Sequence, residues 1–516
     1  MPTKSMNSEA DERYAALLSN AGAIRALASA VEGTIGPKGL DTMLVDRYGD
    51  VLITNAGVTI LEKMDVNHPA AMMLIKVAKA QQEEIGDGTT TATLVASSLI
   101  SAGVEQVLRG VPVARVIEGI RFGLQEAMAL LQQQARPLVQ LDSEQMVHIA
   151  LVAGREHRDI ADLVVEAARL IGENKLKDPS FRLAETISAK ANIENEVFLG
   201  VVIDKERLNR DMPLRIDQPL ILVLDDALEP EELSAEAQST ESGFAHFREL
   251  QQEFRQQIAK LITMGVKVIL CEKNVDSYAE EVLCDAGIMV VSRVPLKPLR
   301  RVADHTGARM LKRSGLKRNA EDLLRALGKA QCIEQIDKYS HIRVTGGEGQ
   351  AIATVLVGAA TPEVVGERER IAKDAASSVQ AAIKGGVVPG GGATELYLAR
   401  QVSQIRDKTK GMASYGVDCV VEALKRPFAQ IVTNAGFNPL EKVEEAAMAQ
   451  TEQGTDTLAI DCDTGQVTDM FAAGILDPVQ VKLHALKAAG EIAEAILRIE
   501  TIIKKRDDVP SAGDMM

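Results

Sequence analysis

Apolar positions at the start of the chain recur every three or four residues. Tyr14, Leu17, Leu18, Ala21, Ile24, Ala28 and Val31 fall on one stripe and predict a helix. The Gly- and Pro-containing stretch "GTIGPKG" (33–39) stops it. "MLVDRYGDVLITNAGVTIL" (43–61) follows as two short strand-like runs turned at Tyr48, Gly49 and Asp50. Helical spacing resumes over Ala71–Glu84 and again after "GDGTTT" (86–91). From about residue 213 the pattern changes. "LILVL" (220–224), "VKVIL" (266–270) and "IMVVS" (288–292) are short β-rich runs. A helical stretch over 245–263, with Leu250, Phe254, Ile258 and Leu261 on one face, separates the first two. The acidic, small-residue segment 225–243 interrupts this alternation and by composition reads as a surface loop.

After "AIATVLVG" (351–358) the helical pattern returns. A helix over 367–384 ends at "GGVVPGGGA" (385–393), and helical spacing continues to Lys505. In "GILDPVQV" (474–481), Asp477 is expected to cap a helix whose first residue is Pro478. That last helix carries Val481, Ile492, Ile496, Ile499 and Ile503 on one side, and the tail after it is expected to be loose. Helical ends therefore flank an α/β middle, the pattern of one domain inserted into another.

Composition adds limits. A chain of 516 residues exceeds a single core and predicts two to four domains. Apolar residues make up 46 % but aromatics only 3 %, with no Trp, so the core must be built from small aliphatic side chains. A net charge of −15 argues against nucleic acid as the main partner. It does not exclude a nucleotide, whose charge a metal ion carries. No run of about 18 apolar residues marks a membrane span, and the first residues hold no apolar signal core, so the expected location is the cytosol. Cys271, Cys284, Cys332, Cys419 and Cys462 form no CxxC pair and are expected as reduced, mostly buried thiols. The histidines include no HExxH zinc motif.

One stretch carries candidate chemistry. "EEIGDGTTTATLVASSLI" (83–100) sets Asp87 and Gly88 before three threonines at the mouth of an apolar helix. Unpaired N–H groups, the helix dipole and the threonine hydroxyls suit an anion there. Asp87 would repel that anion unless a divalent cation lay between them, which points to a magnesium–phosphate site. Taken alone, GDGT reads more readily as plain N-capping by Asp or Thr.

Five ordered blocks decide between these readings. "TIGPKGLDTMLVD", "TNAGVTILEKMDVNHPAA", "GDGTTTAT", "VVPGGGA" and "NAGFNPLE" (434–441) resemble the chaperonins over essentially the whole chain. The resemblance is nearest to the group II, thermosome type. "FAAGILDP" is closer to the bacterial group I pattern, which suggests a divergent, archaeal-like (group III) branch. The resemblance implies an α+β multidomain fold: an equatorial domain from 1–141 and 392–516, an intermediate hinge domain from 142–208 and 359–391, and an inserted α/β apical domain over 209–358. The acidic segment falls where such proteins carry a built-in lid, here about 225–247.

The same resemblance assigns site residues. Thr34, Ile35, Gly36 and Pro37 resemble the loop against the nucleotide phosphates, with Gly57 beside it. Gly88, Thr89, Thr90 and Thr91 resemble the phosphate cradle, and Asp87 the magnesium ligand. Gly391, Ile475 and Asp477 resemble the nucleoside end, with Asp477 as ribose acceptor. Asp374 in "GERERIAKDAA" resembles the hydrolytic base. Lys38 receives no phosphate role, because "GPKG" is not a P-loop.

Position 56 departs from the pattern: the family reads TNDG where this chain reads "TNAG", so Ala56 stands in place of a second catalytic aspartate. This is either an engineered slow-hydrolysis variant, favoured by the intact Asp87 and Asp374, or a branch that has lost much of its activity. The function implied is an ATP-dependent chamber for non-native polypeptides. Its cofactors would be ATP and Mg2+, with K+ a further candidate. It would form a double ring of about eight subunits each with no separate lid protein, no nucleic acid and no membrane. The alternative is a nucleotide-regulated structural ring or filament.

Overall fold

The structure is a computed structural model that describes residues 6–137, 141–231 and 241–503. The chain separates into two compact units. One comprises 1–165, 176–184 and 370–516, and the other 166–175 and 185–369. The second is thus inserted into the first, as the alternation of patterns predicts. Segments 142–208 and 359–391 contribute residues to both units.

The first unit is a helical assembly. Its centre is the helix Thr89–Leu108, packed by Val113–Gln134, Ser414–Asn434 and Val479–Leu497. Thr89–Leu108 is long and apolar enough to cross a membrane, but most of it is buried among these neighbours. Its core is made of Ala, Val, Leu and Ile, as the scarcity of aromatics requires. Small residues let backbones approach: a Cβ on Gly119 would lie 1.9 Å from the carbonyl oxygen of Ala413 and 2.7 Å from the Cα of Gly416. Three antiparallel ribbons decorate this assembly. They are Thr42–Val45 with Val51–Thr54, Leu458–Ile460 with Val467–Asp469, and Val387–Pro389 with Leu476–Pro478.

The second unit is mixed α/β. Strands Leu220–Leu224, Val266–Cys271 and Met289–Val291 run parallel, joined through helices Glu241–Thr263 and Ser277–Asp285. A separate six-stranded sheet includes Glu196–Ile203, His341–Thr345 and Ala353–Ala359. Within the expected lid at 225–247, residues 232–240 lie outside those described, and the helix from Glu241 begins the remainder.

Two sequence expectations are corrected. Helical spacing continues to Lys505, but the helix ends at Leu497, leaving Ile499 outside it and Ile503 84 % exposed. Asp477 is not a helix cap: it lies in the strand Leu476–Pro478, the helix begins at Val479, and Pro478 takes the cap position. Pairing with Val388 holds this backbone extended through 478, which delays the helical turn. All five cysteines are free; Cys271, Cys332 and Cys419 are buried and the other two half-buried.

The Gly119 crossing yields a test. A methyl there meets backbone that cannot rotate away, whereas one on Gly123 meets the side chain of Val420 at 3.0 Å. Gly119→Ala is expected to destabilise by roughly 1–3 kcal/mol, the usual cost of overpacking. The midpoint of thermal unfolding should fall further for Gly119→Ala than for Gly123→Ala.

Candidate functional site

Gly88 bends the chain into the helix Thr89–Leu108. Its φ of 77° is left-handed, and a Cβ there would sit 2.5 Å from Val481 Cγ1. No side chain caps this helix, so neither Asp87 nor a threonine plays the capping role that the motif alone allows. At the positive end of the helix Thr89 is buried and Thr90 and Thr91 are half-buried.

Two loops converge on this mouth. Thr34 Oγ1 lies 3.4 Å from Thr90 Oγ1. A Cβ on Gly57 would fall 2.4 Å from Thr90 Oγ1 and 3.4 Å from Thr89 Oγ1, so only glycine permits that approach. The loop Thr34, Ile35, Gly36, Pro37 is fixed from behind by helix Ser414–Asn434. Asn434 Nδ2 donates to the carbonyls of Glu32 and Ile35, each at 2.9 Å, and Arg426 pairs with Glu32 at 2.5 Å. The asparagine that opens "NAGFNPLE" thus holds the "TIGPKG" loop. Lys38 ion-pairs with Asp463 on the surface.

Asp87 is half-buried, and its carboxylate is enclosed by polar partners. Ser378 Oγ donates to Oδ2 at 2.6 Å and the Gly88 N–H to Oδ1 at 2.6 Å. Desolvation lifts its pKa above the ordinary aspartate value, and the charge of Asp477 adds to this. Ser378, Gly88 and the cation of Arg155 work against it. Gln81 Nε2 donates to the Asp87 carbonyl at 2.8 Å and to the Val481 carbonyl at 3.1 Å, tying the motif to the last helix.

Asp374 lies one turn before Ser378 on the helix Pro362–Gly385, so the base candidate and the partner of Asp87 share a helix face. Arg370 Nη1 donates to Asp374 Oδ2 at 2.5 Å and Nη2 to Asn55 Oδ1 at 2.8 Å. Arg370 thereby ties Asp374 to the segment that bears Ala56, itself buried at 7 % exposure. Arg155 Nη2 reaches the Asn55 carbonyl at 3.3 Å. Arg155 and Glu156 both hold left-handed backbone, φ 52° and 63°, a strained pair of non-glycine residues next to the site.

At the other end, the ribbon Val387–Pro389 with Leu476–Pro478 sets Gly390 and Gly391 beside Ile475 and Asp477. The Gly390 N–H donates to the Ile475 carbonyl at 2.8 Å. Gly391 has φ 62°, and a Cβ would sit 3.1 Å from Met470 Sδ. All the residues singled out by the motifs lie in the first unit. Ser378, Arg370, Asn55 and Arg155 were missed by sequence reasoning. The four-residue step from Arg370 to Asp374 was a usable signal; nothing local marked Arg155.

A model of the TCP-1/cpn60 chaperonin family matches residues 27–507. A thermosome subunit of Methanopyrus kandleri is 34 % identical over 503 residues, covering 94 % of this chain and 91 % of that protein. One from Pyrococcus abyssi is 33 % identical over 501 residues, covering 93 % and 90 %. The solved structure of a group III chaperonin in the open state matches with a TM-score of 0.88 and 44 % identity, over 96 % of this chain and all of that one.

The raised Asp87 pKa fixes a stability sign. A carboxyl whose pKa is higher folded than unfolded contributes stability that is full below the unfolded value and is lost as pH rises through the folded one. Without nucleotide and with chelator, Asp87→Asn is expected to raise the thermal midpoint at pH 7. The difference should shrink as pH falls below about 4, the ordinary aspartate range. A lower midpoint for Asp87→Asn at pH 7 would contradict the desolvation account.

Proposed function

The chain belongs to the TCP-1/cpn60 chaperonin family, and we propose that it is an ATP-dependent chaperonin subunit that hydrolyses its nucleotide slowly. The observation carrying this reading is the convergence of Thr34, Gly57 and Thr90 on an uncapped helix mouth beside Asp87. The donor set fits a magnesium-bound triphosphate. Among the described residues no group of three His, Cys, Asp or Glu could hold a metal by itself. Asp87 with neighbouring hydroxyls suits a hard cation that completes its shell with phosphate oxygens and water. When bound, Mg2+ neutralises phosphate charge beside Asp87; K+ would add charge at the same end.

Each residue then has a task. The segments 34–37 and 88–91 line the phosphates, with the N–H groups of Ile35, Gly36, Thr89, Thr90 and Thr91 and the hydroxyls of Thr89, Thr90 and Thr91 as donors. Gly391, Ile475 and Asp477 hold the nucleoside. Asp374, fixed by Arg370, orients water and takes its proton. Ala56 offers only a methyl where a second carboxylate would help to place that water, so binding outlasts many normal turnovers.

The mechanical reading assigns 142–208 and 359–391 as hinges, 209–358 as the client-binding domain, and 225–247 as a lid that closes on ATP binding. Subunits would form a double ring, about eight to a ring, around non-native polypeptide in the cytoplasm. Support for self-association comes from the ribbon Thr42–Val45 with Val51–Thr54, where Met43 is 61 %, Val45 61 % and Ile53 53 % exposed. Apolar surface of this kind belongs against a neighbour.

Refolding of a denatured client, with and without Mg·ATP, is the direct test. A yield that rises only with nucleotide is expected; equal yields would remove the folding role. Steady-state phosphate release and nucleotide affinity test the chemistry. Ala56→Asp is expected to raise turnover by about 10²-fold, the lower end for restoring a positioned acid–base group. Affinity should barely change, and Asp374→Ala should abolish most residual turnover. Unchanged release by Ala56→Asp would show that this site uses another constellation.

A further inference from the structure

Behind the nucleoside end, Asp477 belongs to a charge cluster with two residues that the tasks above do not use, Lys482 and Glu395. Lys482, on the first turns of helix Val479–Leu497, is 7 % exposed; Glu395, on helix Ala393–Arg406, is 5 % exposed. The Lys482 ammonium bonds Glu395 Oε1 on one side and Asp477 Oδ2, at 2.7 Å, on the other. Burial pulls the lysine pKa down, but the charges of Asp477 and Glu395 outweigh this and hold it above the ordinary value. The second oxygen of Glu395 is buried with no hydrogen-bond partner.

Such a cluster is a poor choice for stability alone. A desolvated ammonium between carboxylates costs solvation that its pairing only partly returns, and well-packed apolar residues would often serve as well or better. Its geometry has a direction, however. Two of the three groups are sealed, whereas the Asp477 side chain retains 30 % exposure. Its Oδ1 is turned to the Gly390–Gly391 backbone, 3.0 Å from where a Gly390 Cβ would be. Lys482 thus occupies one carboxylate oxygen and leaves the other as a fixed acceptor with no donor of its own.

Resting on the nucleotide reading above, we propose that Lys482 and Glu395 are positioning residues that lock Asp477 as a hydroxyl acceptor and make this site selective for ribonucleotides over deoxyribonucleotides. Glu395 anchors the ammonium, the ammonium fixes the rotation and charge of Asp477, and Asp477 reads a ribose hydroxyl. A nucleotide lacking that hydroxyl leaves Oδ1 desolvated and unpaired.

The experiment measures equilibrium binding of Mg·ATP, Mg·2′-deoxyATP and Mg·3′-deoxyATP to the full-length protein and two variants. Lys482→Met removes the clamp. Lys482→Met/Glu395→Gln removes it without stranding the buried glutamate charge, and serves if the single variant fails to fold. The unaltered protein should prefer ATP over the weaker-binding deoxy analogue by at least about tenfold, the scale of one charge-assisted hydrogen bond. In the folded variant the preference should fall to within about threefold. A merely structural cluster would weaken all three nucleotides alike and leave their ratio intact, which would overturn the proposal. So would a lack of discrimination by the unaltered protein that still binds Mg·ATP. Failure of the unaltered protein to bind Mg·ATP at all would overturn the nucleotide reading and this inference together.

Discussion

A carboxylate set beside an open helix N-terminus is the constraint from which the rest of the site follows. Asp87 could have capped the helix Thr89–Leu108, yet Gly88 carries the turn and no side chain bonds the helix mouth. The carboxylate is instead taken up by Ser378 and by the Gly88 N–H, while desolvation raises its pKa. The protein therefore keeps a helix end without a side-chain cap next to a carboxyl whose ionised form burial disfavours. A ligand carrying both signs, an anion with its cation, is the kind that the proposed nucleotide site would take.

Holding that arrangement requires backbone to be fixed from several directions, because a phosphate loop bonds through main-chain groups that have no side chain to aim. Asn434 clamps the carbonyls of Glu32 and Ile35, and Gln81 bridges the carbonyls of Asp87 and Val481. Arg370 spans from Asn55 to Asp374. Each clamp joins segments far apart in sequence. The proposed base is thus placed by an arginine that also grips the segment bearing Ala56. Ala56 packs as a buried methyl and costs the fold nothing visible.

The scarcity of aromatic residues acts on the same assembly from another side. Helices with Ala, Val and Gly at their crossings approach closely, as at Gly119 and Gly416, and fill space with small, stiff side chains. Such packing gives a rigid frame around the helix Thr89–Leu108. Rigidity matters here because an ångström of drift at the helix mouth would misplace every donor at once.

Periodicity and punctuation in the sequence determined the elements: a helical first third, the hairpin after "GPKG", the parallel runs at 220, 266 and 288, and the inserted order of the two units. The GDGTTT stretch also marked Asp87, by a conflict of charge, and Gly88, by a demand for a turn or close approach, whereas Gly57 and Gly391 came from the family resemblance. Tertiary structure alone decided what lay between these points. Asp477 carries the sequence signature of a helix cap, but pairing with Val388, a strand neighbour distant in sequence, drew it into a ribbon and turned its carboxylate to Lys482. Ile499 and Ile503 continue a helical stripe after the helix has stopped at Leu497. Ser378, Asn55 and Arg155 acquire meaning only from neighbours a hundred or more residues away, and Arg370 joins such a neighbour to Asp374 on its own helix. Spacing along the chain encodes what a residue does to its own backbone; which charge it will face is set by packing.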